Sequence, residues 1–297
     1  AYALARSGEE GLPLIQVQHH HAHMASCMAD NALEGSCIGV IWDGTGYGAD
    51  GTIWGGEFLA GDYQGFQRLG SLRPIPLAGG DRAVKEISRV AFALLLDAGC
   101  PERSSLSEEK GRLLEKMISG GLNSPRASSM GRLFDGVYAI LTGRAHVTYE
   151  GQGAILLETM AEVNQDHYPV VLEASGDRMD WDFRPMVREL VQELDAGTAP
   201  EALAAKFMNT VVELARVQCQ QIRERTGLHQ VVLSGGVFQN MYLLPRVIRR
   251  LEEAGFEVYH HSRVSANDEG ISLGQTMIAA KGGGQHVLGN SVSTGSN

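Results

Sequence analysis

Four stretches of the 297-residue chain carry residue types at spacings that could do chemistry. The first is Gln18-His19-His20-His21-Ala22-His23. On a helix His19 and His23 share a face, and that spacing suits two imidazole ligands to one metal ion. The same letters also read as a polar histidine cluster at a helix start that holds no metal. The second stretch runs from Asp43 to Glu57 as Asp-Gly-Thr-Gly-Tyr-Gly-Ala-Asp-Gly-Thr-Ile-Trp-Gly-Gly-Glu. A carboxylate at the end of a buried strand faces the crevice where ligands sit in α/β folds. The glycines, Gly55 and Gly56 among them, let backbone N–H groups approach a phosphate, although a hairpin with glycine turns would use some of them too. The third is Ser234-Gly235-Gly236-Val237-Phe238-Gln239-Asn240. Placed between a strand and a helix, it directs N–H groups and the helix dipole at an anion or nucleotide, or it is a tight turn that needs glycine. The fourth is Asn267-Asp268-Glu269-Gly270, either a routine helix N-cap or a further oxygen ligand to a metal held by the histidines. Asp135, and Gly151 with Gly153, are weaker candidates that alone read as polar surface and a turn.

The elements that must position these residues read as a mixed α/β chain. Residues 19–33 read as a helix, and 37–42 as a buried strand ending at Asp43. Strands at 52–60 and 66–75 complete a meander. Residues 82–96 place apolar side chains at 84, 87, 90, 91, 94 and 95 on one helical face. Ser107 opens another helix with Glu108 and Glu109 in its first turn. Further helices are expected at 130–141 and 152–163, a loop at 119–129 and a strand pair within 169–183. The last third alternates a helix at 201–225, a strand at 230–233, a helix at 237–254, a strand at 256–260 and a helix at 269–280. That alternation implies a parallel sheet covered by helices. A tail from residue 282 reads as flexible.

Composition limits the function. Acidic residues outnumber basic ones 35 to 25, for a net charge of −10, so general electrostatic binding to a nucleic-acid backbone is not expected. The longest apolar run, residues 90–96, is too short to cross a bilayer, and no secretory signal opens the chain. Cys27, Cys37, Cys100 and Cys219 are scattered without a C-x-x-C, which excludes a zinc ribbon or disulfide framework and fits a cytoplasmic location. No Ser-His-Asp or Cys-His nucleophilic set is identifiable in the letters. The chain opens on Ala rather than Met, as a piece of a longer protein would.

Taken in order, the strings VQHHHAH, DGTGYGADGTIWGGE, YEGQGA, LSGGVFQN and NDEGISLGQ resemble the C-terminal domain of the HypF carbamoyltransferase family. That domain is related to the TsaD/Kae family of tRNA threonylcarbamoyl transferases and to antibiotic O-carbamoyltransferases. The resemblance covers residues 12–281. It implies an actin/hexokinase-like (ASKHA) ATPase fold. Residues 1–35 would end a truncated first lobe, 36–281 would form a complete second lobe with a helical insertion at about 80–165, and 282–297 the tail. It further implies that His19, His23, Asp43 and Asp268 ligate one divalent metal, Fe or Zn. By the same resemblance Gly55 and Gly56 lie beside phosphates, Asp135 and Gly151 or Gly153 contact the nucleoside, and Gly235, Gly236 and Asn240 the adenosine side.

The implied activity is transfer of a carbamoyl group from carbamoyl-adenylate, made from carbamoyl phosphate and ATP in a YrdC-like domain, to the C-terminal cysteine of HypE in [NiFe]-hydrogenase maturation. Upstream YrdC-like, zinc-finger and acylphosphatase domains are implied partners, and nucleic acid and membrane are not. The chain departs from the family at Ile87-Ser88, where Pro-Trp is common, and at Met208, where His is common. The alternatives are a tRNA threonylcarbamoyl transferase, a small-molecule O-carbamoyltransferase, and a non-catalytic fragment that binds nucleotide or HypE.

Overall fold

A computed structural model describes residues 2–282; the rest of the tail expected to be flexible lies outside the described residues. In chain order the elements are α1 (Tyr2–Glu10), α2 (His19–Asp30), β1 (Cys37–Tyr47), β2 (Ile53–Gly61), β3 (Phe66–Leu72) and β4 (Ile75–Pro76). Next come α3 (Asp81–Lys85), α4 (Ser88–Ala98), α5 (Glu108–Ser119), β5 (Arg126–Ser129), α6 (Met130–Thr142) and α7 (Gln152–Met160). The chain continues through β6 (Leu172–Ser175), β7 (Arg178–Trp181), α8 (Arg184–Asp195), α9 (Pro200–Thr226) and β8 (Gln230–Ser234). It closes with α10 (Leu243–Glu253), β9 (Glu257–His260) and α11 (Ile271–Ala280).

The strands form one sheet in the order β6-β7-β3-β2-β1-β8-β9, with β5 beside the start of β2 and β4 beside β5. The sheet is mixed: the strands of the last third run parallel, as their alternation with helices implied, and the early strands form the antiparallel meander. β1, β8 and β9 run parallel, but β1–β2, β2–β3 and β6–β7 are antiparallel because short turns join them. Strand β1 is covered on both faces, which is why it reads as an unbroken apolar run. Ile38, Val40 and Trp42 enter a large core shared with α4, α6, α8 and α9. Cys37 and Ile41 enter a smaller core with Met24, Met28, Val232 and Ile278, contributed by α2, β8 and α11. Burying each large apolar side chain contributes about 1.5–3 kcal/mol.

Several boundaries differ from the sequence reading. The helix expected at 82–96 is two, broken at Glu86, whose ψ of 74° is not helical. The backbone on either side of the break bonds outward instead: Lys85 O accepts from Val147 N and Ser88 N donates to Ala145 O. The loop expected at 119–129 contains β5, a sheet strand inside the stretch read as a helical insertion. The helix expected at 237–254 starts only at Leu243, after a 3-10 turn at Gly236–Gln239. Asn240 stops the turn, and its side-chain oxygen caps the new helix by accepting from the backbone of Tyr242 and Leu243 at 2.9 Å each. Helix α8, which opens on Arg184-Pro185 and buries Met186, Val187, Leu190 and Val191, was not anticipated.

Candidate metal centre and adjoining cleft

His19 and His23 sit one turn apart at the start of α2. Gln18 caps this helix, accepting from His21 N at 2.8 Å. Their rings meet edge to face with centroids 4.8 Å apart. Asp43 reaches them through an irregularity in β1. Trp42 pairs with Gly56 and Gly46 with Trp54, so Asp43, Gly44 and Thr45 stand opposite Gly55 alone. Such a bulge takes residues out of the ladder and re-aims their side chains. Gly55 makes it possible, since a Cβ there would lie 2.6 Å from the Asp43 carbonyl oxygen. Gly46 is required by close approach as well, because a Cβ there would lie 2.5 Å from the rings of both His19 and His20.

Asp43 divides its carboxylate. Oδ1 accepts from Gly236 N at 3.2 Å, while Oδ2 lies 3.2 Å from His19 Nε2 and 3.4 Å from His23 Nε2. Asp268, at the start of a 3-10 turn capped by Asn267, brings Oδ1 to 3.5 Å from His19 Nε2 and 3.3 Å from His23 Nε2. In the Asn267-Asp268 pair the first residue caps the turn and the second faces the histidines. The four donor atoms lie within 4.8 Å of one another. Burial pulls the His23 imidazole down, but Asp268 and Asp43 outweigh it and hold the ring above the ordinary histidine value. Burial likewise pushes the Asp43 carboxyl up, and His19 and His23 outweigh that to hold it far below the usual carboxylate range.

The donor set fits a divalent cation. Tetrahedral ligands at about 2.1 Å from zinc stand about 3.4 Å from one another, close to the 3.2–3.5 Å separations between the imidazole nitrogens and carboxylate oxygens. His23 Nε2 is buried and makes no aligned hydrogen bond despite its two carboxylate neighbours. Two imidazoles with two carboxylates suit zinc or iron.

Asp43 also forms one end of a cleft of ≈ 350 Å³, whose other walls include Gly44, Arg132, Glu150, Gly151, Ile155, Gly236 and Asn240. Of the residues singled out in the sequence, Gly151, Gly236 and Asn240 line this cleft, and Gly55, Gly56, Asp135, Gly153 and Gly235 do not. Gly55 and Gly56 are buried in β2, their N–H groups directed at the Glu57 carboxylate, which Arg68 and Ser128 also bind. Asp135 lies one layer behind the wall, against Gly153 and 3.3 Å from Arg132 Nη1, and burial pushes its carboxyl up to about 6. Gly235 packs on the backbone of Trp42.

The letters gave no role to Arg132, although it belongs to the Gly-Arg-Leu-Phe-Asp string that flagged Asp135. It is 1 % exposed, and of its nitrogens Nη2 bonds Glu150 at 3.2 Å while Nε and Nη1 make no aligned hydrogen bond. One Ser-His-Asp grouping lies beside the histidines, but with Ser234 fully buried and His261 Nδ1 making no hydrogen bond it is not a nucleophilic set. Ser234 Oγ lies 2.8 Å from His261 Nε2, whose Nδ1 faces Asp30 across 3.8 Å. These three come from three elements, so no linear spacing announces them. All four cysteines are free, and burial pushes Cys37 up to about 12.

Comparison with known proteins places this arrangement. Residues 39–275 match the family described as "Carbamoyltransferase, Kae1-like Domain, second subdomain", and residues 1–30 the "HypF Kae1-like domain". The chain is 36% identical over 291 residues to "Carbamoyltransferase HypF" of Synechocystis, with 90% of this chain and 37% of that protein covered. A "Carbamoyltransferase HypF homolog" of Cupriavidus necator is 35% identical, with 91% of this chain and 72% of that protein covered. Among solved structures, full-length HypF "in the phosphate- and nucleotide-bound form" superposes with a TM-score of 0.87 at 41% identity, over 91% of this chain and 43% of that one. The chain thus spans well under half of the full-length proteins, 37% of the Synechocystis and Rhodobacter capsulatus relatives. With the family match running through β1, the cleft and Asp268 alike, the chain belongs to the Kae1-like domain family of HypF carbamoyltransferases.

Proposed function

We propose that this chain is the transferase part of a HypF-type enzyme. It would move a carbamoyl group from carbamoyl-adenylate, formed from carbamoyl phosphate and ATP, to the C-terminal cysteine of HypE in [NiFe]-hydrogenase maturation. The observation that carries this reading is the double placement of Asp43, which belongs both to the four-donor cluster and to the wall of the cleft. A site for a cation and a site for a nucleotide-sized ligand are thereby joined by one carboxylate. The lobes fit the same reading: residues 1–35 end a first actin-like lobe and 36–281 form the second, a division supported by family matches that stop at residue 30 and resume at 39.

A carbamoyl carbon is a poor electrophile because its nitrogen donates into the carbonyl. Adenylation supplies a leaving group: the cysteine sulfur bonds to the carbamoyl carbon, the carbon–oxygen bond to AMP breaks, and the thiol proton is lost. His19, His23, Asp43 and Asp268 would hold one divalent metal, Zn or Fe. When bound, it would supply Lewis-acid stabilisation of the negative charge that develops on the carbamoyl or phosphate oxygens. Arg132 brings a buried positive charge to the cleft wall, suited to an adenylate phosphate. Gly151, Gly236 and Asn240 shape the wall on which the nucleoside would rest. Gly55 packs against Asp43, and Gly153 against Asp135 behind the wall. The nucleophile comes from the partner, so the cysteines of this chain, of which Cys27, Cys37 and Cys219 are buried, have no part in it.

The test supplies the chain with carbamoyl-adenylate and a peptide carrying the HypE C-terminus, and detects the carbamoylated cysteine by mass spectrometry. Transfer is expected, with Asp43→Asn slowed by about 100-fold or more while circular dichroism is unchanged. An Asp43→Asn variant as fast as the parent chain, or transfer to tRNA or a sugar acceptor in preference to the peptide, would overturn the assignment.

A further inference from the structure

We propose that Glu57 is a positioning residue for the cation site: with Arg68 and Ser128 it holds the β1 bulge in the shape that turns the Asp43 carboxylate toward His19 and His23. The inference deepens the metal reading above and takes its functional weight from it. Glu57 is not one of the four donors. It stands opposite Ile41 in the β1–β2 ladder and is 0 % exposed, so its carboxylate must find its partners inside the protein.

Those partners divide between its two oxygens. Oε2 accepts from Arg68 Nε at 2.6 Å. Oε1 accepts from Ser128 Oγ at 2.5 Å and from the backbone N–H groups of Gly55 and Gly56 at 3.2 and 3.4 Å. Gly55 is the residue that faces the whole bulge, where the extra residues of β1 interrupt the ladder. A buried N–H beside such a break needs an acceptor, and the side chain two residues further on supplies it. Arg68 is itself tied down. Its Nη1 donates to Asp50 at 3.1 Å and its Nη2 to Ser128 Oγ at 3.0 Å, and the guanidinium lies 4.1 Å over the Trp54 ring. Ser128 thus accepts from Arg68 and gives its one proton to Glu57, which closes a ring of three residues.

The bulge is gripped from its other side by the next residue of β5. Consecutive strand residues point to opposite faces. Ser129 Oγ accepts from Arg132 N at 3.1 Å and donates to the carbonyl oxygen of Gly44, directly after Asp43. Strand β5 therefore carries both clamps, Ser128 through Glu57 on β2 and Ser129 on β1 itself. Asp43 Oδ2 lies 3.2 and 3.4 Å from the two imidazoles, and a ligand set of this kind works only while its members are held within about 0.5 Å. Relaxing the bulge would move the one carboxylate that the strand carries.

The experiment measures zinc affinity by calorimetry and stability by urea unfolding on the 297-residue chain and its variants. Glu57→Met, which keeps a long side chain and loses every acceptor, should lower zinc affinity about 10- to 100-fold, the range for outer-shell partners of metal ligands. Glu57→Gln keeps an oxygen for Ser128, Gly55 and Gly56 but deprives Arg68 of its partner. It should lower the urea midpoint and retain most of the zinc affinity. A merely structural role predicts no such split between the two variants. Glu86→Gln, which breaks ion pairs with Arg82 and Arg89 outside the site, should lower stability with zinc affinity unchanged. Nitrogen-15 glycine reads the bulge without metal: the amide signals of Gly44 and Gly46 should move in Glu57→Met and stay near their parent positions in Glu57→Gln. If Glu57→Met does not fold, Ser128→Ala decides by the same two readouts. Parental affinity and unmoved Gly44 and Gly46 signals in the deciding variant, or equal losses of affinity in Glu57→Met and Glu57→Gln, would overturn the proposal. Failure of the unmodified chain to take up zinc or Fe(II) would instead sink the metal reading, while the glycine signals still decide whether Glu57 holds the bulge.

Discussion

At the scale of single residues, Asp43 is held from two sides, by a backbone N–H at one oxygen and by imidazoles at the other. Asp43→Asn keeps a carbonyl oxygen for Gly236 but removes the charge between the histidines. Zinc uptake measured by calorimetry should therefore fall by an order of magnitude or more, and the urea midpoint of the metal-free chain should fall too, because the depressed carboxylate contributes stability. Glu86 is a separate case. Burial pushes its carboxyl up, but Arg89 and Arg82 outweigh that and hold it down at about 2. A depressed carboxylate contributes stability above its unfolded pKa and loses it as pH falls toward the folded value. Between pH 4.5 and 2, the native chain should therefore lose about 1–3 kcal/mol that Glu86→Gln never had, the lower end reflecting the exposure of Arg82. Urea titrations of both proteins across that range measure the difference.

The metal-ligand candidates were legible because two imidazoles at helical spacing and a carboxylate ending an apolar strand carry their geometry in their spacing. Ser234, His261 and Asp30 were not, since three elements bring them together and no local period records it. Gly55 and Gly56 read as phosphate-binding for a good reason, an open glycine backbone. Burial against the bulge and the Glu57 side chain is a tertiary fact that the letters do not hold.

Among elements, the bulge in β1 and the cap of α10 do the positioning. Gly55→Ala would push a methyl group into the Asp43 carbonyl. It should cost about 1–3 kcal/mol of stability, as overpacking does, and weaken zinc binding as well, because the bulge aims the carboxylate. A variant that lost stability with its zinc affinity intact would separate the bulge from the site. Asn240→Ala should cost about 1 kcal/mol by uncapping α10, and Asn240→Asp should recover it, as read by urea unfolding without ligand.

Most elements were visible from their period, including the histidine helix, the β1–β2 pair and α9. What the period missed were changes of partner. Glu86 leaves the helix because neighbouring backbone bonds residues 145–147, and Asn240 ends a turn because its side chain caps the next helix. β5 was hidden because its apolar content is a single alanine; the β2 edge recruits it.

Taken whole, the molecule draws its cation ligands from α2, from β1 and from the turn before α11, so a bound ion ties the first third of the described chain to its last. Zinc at about 100 times its dissociation constant should add about 2.7 kcal/mol and raise the melting temperature by about 5 °C. A chelator should reverse both, and differential scanning calorimetry reads the two together. A chain whose transition ignores zinc would contradict the ligand set.

The central position of β1 has a consequence for biosynthesis. It borders β2, its near neighbour in sequence, on one side and β8, with Ile38 opposite Val231, on the other. A nascent polypeptide leaving the ribosome thus exposes an apolar edge long before its mate is translated, and such edges invite sticking between copies. Chaperone attendance during that interval, and precipitation of truncations that stop short of residue 230, are what this topology demands.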